Sequence, residues 1–420
     1  MPAGCFVEQK NITSQINLAV RVPKFLVISS YKRACGIAQY VEFLELPLRD
    51  QLDFDIEIAA LPVDLLRSQS PYARKAAIIE FNEILLKVDQ ADIVNIQLEP
   101  GLFGFTPSQI WRNLKAIIRR SKKVILTYHT APPLDAARFQ LSRNGLLHYL
   151  RDWRGNYVFN RLFAKVRKNP RKFQHIVQTA REAKNFALLG IPSDSITHQP
   201  LAFVSKQVRQ RMDHDVAKTE VSERLNIKSG VVLGCFGFLS QYKGIEVAIR
   251  ALGNLPADHH LLVVGGLHPE GVEKGNVEQP YITKLIKEIK KQRKIKGRVH
   301  FCGSLGNDEF NEVMLACDAV ILPYAEVGQT SSGPAALALD MGRPLYCSHT
   351  KCFSELDRYQ PGAVTFFEVG NHIELAQKLI KREADIPGRV EARTFYLEKY
   401  SVEHRAAAYF AAAKRLLQGK

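Results

Sequence analysis

Long apolar runs are missing from the 420 residues: a bilayer-crossing helix takes about 18 or more, and the longest here, such as Val231 to Leu239, have the length of a strand. No helical membrane span is therefore expected. Residues Met1 to Val20 lack the basic segment, apolar stretch and small-residue cleavage site of a secretory leader, so an exported chain is not expected either. Cysteine is sparse and scattered. The seven, Cys5, Cys35, Cys235, Cys302, Cys317, Cys347 and Cys352, are odd in number and show no Cys-x-x-Cys spacing. That pattern reads as reduced thiols in a cytosolic protein, without a zinc site. Short-period repeats and low-complexity tracts are absent as well.

Acidic residues are scarce in one place above all. The net charge is +16, and between Trp111 and Lys184 there are 18 Lys/Arg against 3 Asp/Glu (Asp135, Asp152 and Glu182), so nearly all the excess sits there. A patch of that kind calls for a polyanionic partner, whether lipid headgroups, nucleic acid or an anionic substrate, or is simply a solvated basic face. Within it, Leu146, Leu147, Leu150, Trp153, Tyr157, Leu162, Phe163 and Val166 recur at roughly helical spacing, with arginines and lysines between them. They suit an amphipathic helix pair broken near Gly155, packed on its own domain or lying in a bilayer interface.

What is present is enough apolar residue, 46%, to build packed cores, in a chain long enough for two domains. Short apolar runs alternate with helix-length segments in both halves, the signature of parallel sheets covered by helices. Strands are expected at 24–30, 54–60, 92–97, 123–128 and 175–178, and again at 231–236, 260–265, 298–301, 319–323 and 344–347. The fold class that follows is α/β, two Rossmann-like, doubly wound domains. The charged stretch 204–227 carries neither pattern strongly and marks the boundary. The expected division is 1–204, 205–395, and a C-terminal helix within 396–420, Ala-rich and able to pack back on the first domain.

In doubly wound sheets ligands bind beyond the carboxyl ends of the strands, so the loops there carry the chemistry. After the first strand, Gly36 opens a helix without a side chain and leaves room for a phosphate or a sugar hydroxyl, or relieves a tight turn. This loop lacks the Gly-x-Gly-x-x-Gly dinucleotide fingerprint, against a dehydrogenase. His129 directly follows another strand and precedes Pro132 and Pro133; it can exchange a proton near neutral pH, hydrogen-bond a substrate hydroxyl, or be structural. Glu99 ends a neighbouring strand and can meet the same cleft.

The second half is more telling. Gly234 to Gly244 brings glycine N–H groups, one lysine, Lys243, and a helix start together, a combination that suits a diphosphate. Gly265 and Gly266 end the next strand and leave room for a ring or ribose. Leu322 to Pro334 is a polar loop whose hydroxyls, Gly333 and following helix make a second anion cradle. Each loop alone is also an ordinary turn or cap; their joint order carries the reading.

That order resembles the large retaining glycosyltransferase family 4, of GT-B fold, from about Lys24 to the C-terminus. The resemblance is strongest in Gly237-Phe-Leu-Ser-Gln-Tyr-Lys-Gly244 with the Ile245 to Leu252 helix, and continues through Cys317 to Tyr324, Ser332-Gly333 and Gly342-Arg343-Pro344. In the first half Cys35 to Ala38 and His129-Thr130-Ala131 resemble the family's glycine loop and active-site histidine. The resemblance implies a cleft between the two domains and retaining transfer of a sugar from a nucleotide-diphosphate donor, without a metal ion or other cofactor.

By the same resemblance Lys243 neutralises the departing diphosphate, His129 contacts the reacting sugar, and Gln329 stands in the catalytic loop. Gly36, Gly237, Phe238, Gly265, Tyr324, Glu326, Ser331, Ser332 and Gly333 form the donor site. Two positions depart from the pattern. Phe238 stands where the family commonly has an arginine, and Gln329 and Leu337 stand where it often has two glutamates; Glu326 is nearby but out of register. The Gln-x-Ser-Ser-Gly form resembles a variant branch.

The implied acceptor is a glycan or a lipid-linked molecule, as in cell-surface polysaccharide or glycolipid synthesis. The implied location is the cytoplasm, with the basic region 111–184 against an anionic inner membrane face; no nucleic-acid-binding motif is present. A nucleotide-sugar epimerase or a phosphorylase would share the architecture, but the carboxylates of the first and the pyridoxal lysine of the second are not visible. A GT-B protein that binds a nucleotide sugar or polyanion without turnover stays open, supported by the two departures.

Overall fold

The computed structural model describes residues 21–33, 35–51, 53–131, 156–267, 279–325, 331–381 and 389–418. Twelve strands form two six-stranded sheets among these residues. The first sheet holds β1 (Lys24–Ser29), β2 (Asp55–Ala60), β3 (Ile93–Leu98), β4 (Lys123–Tyr128), β5 (Phe173–Val177) and β6 (Ile196–His198) in the order β2-β1-β3-β4-β5-β6. The second holds β7 (Val231–Phe236), β8 (His259–Val264), β9 (Val299–Gly303), β10 (Ala319–Leu322), β11 (Leu345–Ser348) and β12 (Val364–Phe367) in the order β12-β11-β10-β7-β8-β9. Every pairing is parallel.

Parallel strands need covered faces. The edge strands β2, β6 and β9 are partly exposed, whereas the inner strands, such as β1, β3, β4, β8 and β10, read as near-continuous apolar runs because both sides are buried. The exceptions matter below: Asn95 and Gln97 in β3 and Thr127 in β4 are polar yet fully buried. The ten expected strands are present to within a few residues. Two were not foreseen, β6 and β12, three and four residues long at sheet edges, too short to show a period.

The first sheet is covered on one side by the helices Pro71–Gln90, Pro107–Arg120 and Tyr157–Lys168, whose apolar residues form one core with it. On the other side lie Gly36–Gln51 and the C-terminal Val402–Gln418 helix, which pack on each other and reach β5. The stretch 204–227, read as patternless, forms two helices, Lys206–Gln210 and His214–Arg224. The second has almost no amphipathic contrast; Ala217 and Val221 pack it against the Asn307–Ala316 helix. Just before them the backbone N–H groups of Phe203 and Val204 donate to Asp340 Oδ2, at 2.7 and 3.1 Å. The connection between the halves is thereby tied to the Gly333–Asp340 helix.

Of the two placements open to the helical pattern 146–166, packing on its own domain is the one found over its described part. In Tyr157–Lys168 the apolar face, Val158, Phe159, Leu162, Phe163 and Val166, is buried in the core. Only the face bearing Arg161, Arg167 and Lys168 is exposed. Burial in the domain outweighs the bilayer because those side chains have sheet partners at full packing density. The segment 143–155 lies outside the described residues.

Candidate active site

Both sheets reverse their strand order once, between β1 and β3 and between β7 and β10, and the crevices at these points are where side chains from successive loops converge. In the second sheet the convergence is tight. Gly265 ends β8 at φ +140°, where a Cβ would stand 2.1 Å from the carbonyl oxygen of Gly237. Gly244, at φ +63°, would place a Cβ 2.1 Å from the carbonyl of Pro323. Only glycine lets the loops after β7, β8 and β10 lie this close.

Lys243 is held in that crevice, 6% exposed. Its Nζ donates to the Tyr324 hydroxyl at 2.5 Å and lies 3.8 Å from the Tyr324 ring centroid and 4.9 Å from that of Tyr242. The Tyr324 hydroxyl is 3.2 Å from Ser332 Oγ, which also caps the Gly333–Asp340 helix by accepting from Ala335 N–H. Aromatic faces are the ammonium's company; among the described residues no ion pair involves it. Burial pushes its pKa down to about 7. A buried lysine beside a helix N-terminus gains a partner when an anion binds there. Gly237 lies beside it, with the Lys243 Cε 3.3 Å from where its Cβ would be. Phe238 is half-buried next to it.

Across the cleft, His129 stands at the end of β4 with its N–H on the carbonyl of Leu98, 3.1 Å away. Both ring nitrogens are engaged. Nε2 is 2.8 Å from Gln97 Oε1, and Gln178 Nε2 is 3.3 Å from Nδ1. The Tyr40 ring meets the imidazole edge-on at 5.1 Å. Burial first, and then the positive charge of Arg405, bring the imidazole pKa down to about 3. Of the two uses open to this histidine, hydrogen bonding in the neutral form is the one its surroundings favour.

Gln178, not among the expected site residues, joins the two domains. Ser331 Oγ donates to its Oε1, so a chain runs from the Ser331 loop through Gln178 to His129. Gln178 follows β5 and precedes a capping box, Thr179 with Glu182, that starts the Ala180–Leu188 helix and fixes where the side chain points. Beside it Arg181 pairs with Glu355 at 3.2 Å, and Tyr359 OH accepts from Ala180 N–H at 2.8 Å. A crevice lined by Gln178, Ser331, Ser332, Glu355 and Tyr359 lies between.

The structure thus brings Gly237, Lys243, Gly265, Tyr324, Ser331 and Ser332 together and faces them with His129. Gly333 opens its helix beside Phe203, whose Cζ lies 3.7 Å from where a Cβ would be. Gly36 is exposed at its helix start with nothing within 4 Å of where a Cβ would be. Gln329 and Glu326 lie outside the described residues. The second expected glutamate position, Leu337, is buried in the core and does not reach the cleft. Among the described residues no group of three or more His, Cys, Asp or Glu could hold a metal ion.

No family model matches the chain, and no curated protein matches it. Solved structures do. It is similar to Anabaena HepE in complex with UDP and glucose, at 14% identity and TM-score 0.60, over 93% of this chain and 99% of that one. A glycosyltransferase from Rickettsia africae gives 14% and 0.60, over 95% and 100%. WaaG, a glycosyltransferase involved in lipopolysaccharide biosynthesis, gives 15% and 0.55, over 92% and 99%. The fold is GT-B. The likeness spans more than nine-tenths of each chain. In this GT-B frame the loops after β7, β8 and β10 form one wall of the cleft, and those after β1, β3, β4 and β5 the other.

Proposed function

We propose that this chain is a retaining glycosyltransferase of the family 4 kind. It takes a sugar from a nucleotide-diphosphate donor held by the second domain and passes it to a glycan or lipid-linked acceptor. The observation that carries this is Lys243: a buried ammonium with no carboxylate partner among the described residues, at the switch point of one sheet, facing a neutral histidine across the cleft. As the glycosidic bond to the diphosphate breaks, negative charge grows on the departing oxygens while the anomeric carbon becomes oxocarbenium-like. Preorganised positive groups at the phosphates lower that barrier most. Lys243, the N–H groups near Gly237 and the N-terminus of the Gly333–Asp340 helix supply them. His129 orients the sugar. The solved relatives with UDP or UDP-glucose support a nucleotide-sugar donor.

A binding protein without turnover is the second reading, favoured by Phe238 and the buried Leu337 in place of charged family residues. A thermal-shift screen against UDP, GDP, ADP and their sugar conjugates, followed by donor hydrolysis, separates the two. A saturable shift lost in Lys243→Ala, together with hydrolysis, is the expected result; a shift without hydrolysis selects the binding protein. Peripheral contact with an anionic membrane is part of the proposal. It is supported by the exposed Arg112, Lys115, Arg119, Arg161, Arg167 and Lys168 on two neighbouring helices that carry no acidic residue.

A further inference from the structure

Three polar side chains buried inside the first sheet, Asn95, Gln97 and Thr127, form one connected network. Asn95 Nδ2 donates to the carbonyl of Ile125 at 3.1 Å and to Thr127 Oγ1 at 3.0 Å. A carbonyl only accepts, so the Asn95 amide has one orientation, with its Oδ1 turned to Gln97. Gln97 Nε2 donates to that oxygen at 2.7 Å and to Tyr409 OH at 3.3 Å, which leaves Gln97 Oε1 for His129 Nε2. An amide oxygen also only accepts. The proton of the neutral ring therefore sits on Nε2, and Nδ1 carries a lone pair.

The far end of the network is fixed by a group that only donates. Arg405, fully buried, donates from Nε to Tyr40 OH and from Nη1 to the carbonyls of Gln199 and Pro200, at 2.5 and 2.6 Å. Tyr40 must then pass its own proton to Tyr409, 3.0 Å away, and Tyr409 its proton to Thr127, 2.8 Å away. Tyr409 oxygen is left as acceptor for Gln97. On the cleft side Gln178 meets Ser331, whose hydroxyl can donate or accept.

We propose that Gln97 is a positioning residue for His129, held in that role by Tyr409 and Arg405 of the C-terminal helix, so that the ring meets the interdomain cleft through its Nδ1 lone pair. This rests on the reading of His129 as the sugar contact. It deepens that reading: His129 accepts a hydrogen bond from a donor-sugar hydroxyl, taking the place of Gln178, and does not act as a proton donor.

The test is long-range ¹H–¹⁵N spectroscopy of the full chain labelled in histidine, with His129 assigned by difference from His129→Asn. The wild-type ring is expected as the Nε2–H tautomer alone at pH 7. Gln97→Met should give a mixture of tautomers. Tyr409→Phe, which keeps the core volume, should give the same mixture to a smaller extent. Gln97→Glu should make the ring an imidazolium at neutral pH, because a carboxylate then faces Nε2–H. With UDP-glucose as probe, Gln97→Glu should lower kcat roughly tenfold or more with KM little changed, and add an acid limb to the kcat profile.

A wild-type ring protonated on Nδ1 overturns the proposal, as does a single unchanged tautomer in both Gln97→Met and Tyr409→Phe. If the wild type does not turn over UDP-glucose or another conjugate, the ring spectra still decide the positioning, and only the functional reading fails.

Discussion

At the residue scale Lys243 is the most exposed to test. Removing one preorganised donor at a developing charge typically costs about two to three orders of magnitude in turnover. Lys243→Ala should do the same to donor hydrolysis, and near-wild-type turnover would remove the residue from its assigned role. Its depressed pKa gives a second handle. With a folded value of about 7 against an ordinary 10.5, the unfolded chain binds more protons between those limits. This group's contribution to stability therefore rises with pH across the window and is lost as pH falls through about 7. A bound diphosphate reverses the bias and favours the ammonium. Nucleotide binding above neutral pH should thus take up a proton, read by titration calorimetry in buffers of different ionisation enthalpy. Binding heats independent of the buffer would show that Lys243 is not at the phosphates.

At the scale of elements, the Phe203–Val204 segment of the linker between the domains is tied to one carboxylate. Asp340 Oδ2 accepts from Phe203 and Val204, and burial lifts its pKa to about 6. Asp340→Ala would leave two buried N–H groups without an acceptor, at a cost of about 1–3 kcal/mol each. Denaturant unfolding should show a loss of that order, and a change within about 0.5 kcal/mol would mean that the backbone finds other partners. The capping box at Thr179 works on the cleft itself. Thr179→Ala should cost about 1 kcal/mol of stability and loosen Gln178. In contrast, the Tyr157–Lys168 helix teaches how a pattern misleads. Its spacing and charge fit both a core helix and an interfacial one, and only the presence of β4 and β5 beneath it decides.

At the scale of the whole molecule, the basic helices of the first domain form a surface that a local mutation cannot erase. Each Lys or Arg near an anionic bilayer contributes about 1 kcal/mol. Reversing Arg112, Lys115, Arg161 and Arg167 together should abolish flotation with anionic vesicles while leaving nucleotide-induced thermal shifts in place. Equal flotation with neutral and anionic vesicles would end the membrane part of the proposal. The two domains themselves meet through Gln178–Ser331, Arg181–Glu355 and Ala180–Tyr359, so the Ser331 wall and the His129 wall touch across the cleft.

Much of this was determined by the sequence alone. Apolar runs of strand length between helix-length segments point to parallel sheets covered by helices, because the apolar pattern of each segment is local even though the pairing is not. Glycines directly after strands dictate where backbones approach and ligands enter, which is how Gly237, Lys243 and Gly265 were legible as neighbours. Two polar residues inside the strand Ile93–Leu98 were visible too, but their purpose was not.

The tertiary structure alone decided the rest. Gln178 reaches His129 across 49 positions and Tyr409 reaches Gln97 across 312. Arg405 and Tyr409 sit on an Ala-rich helix that was read as able to pack back on the first domain, but whose local pattern does not say which residues it meets there. Which side chain shares a proton with which is set by strand order and by the return of the chain's end to its first domain. Such contacts are fixed by the closing of the whole fold, and no window of sequence contains both partners.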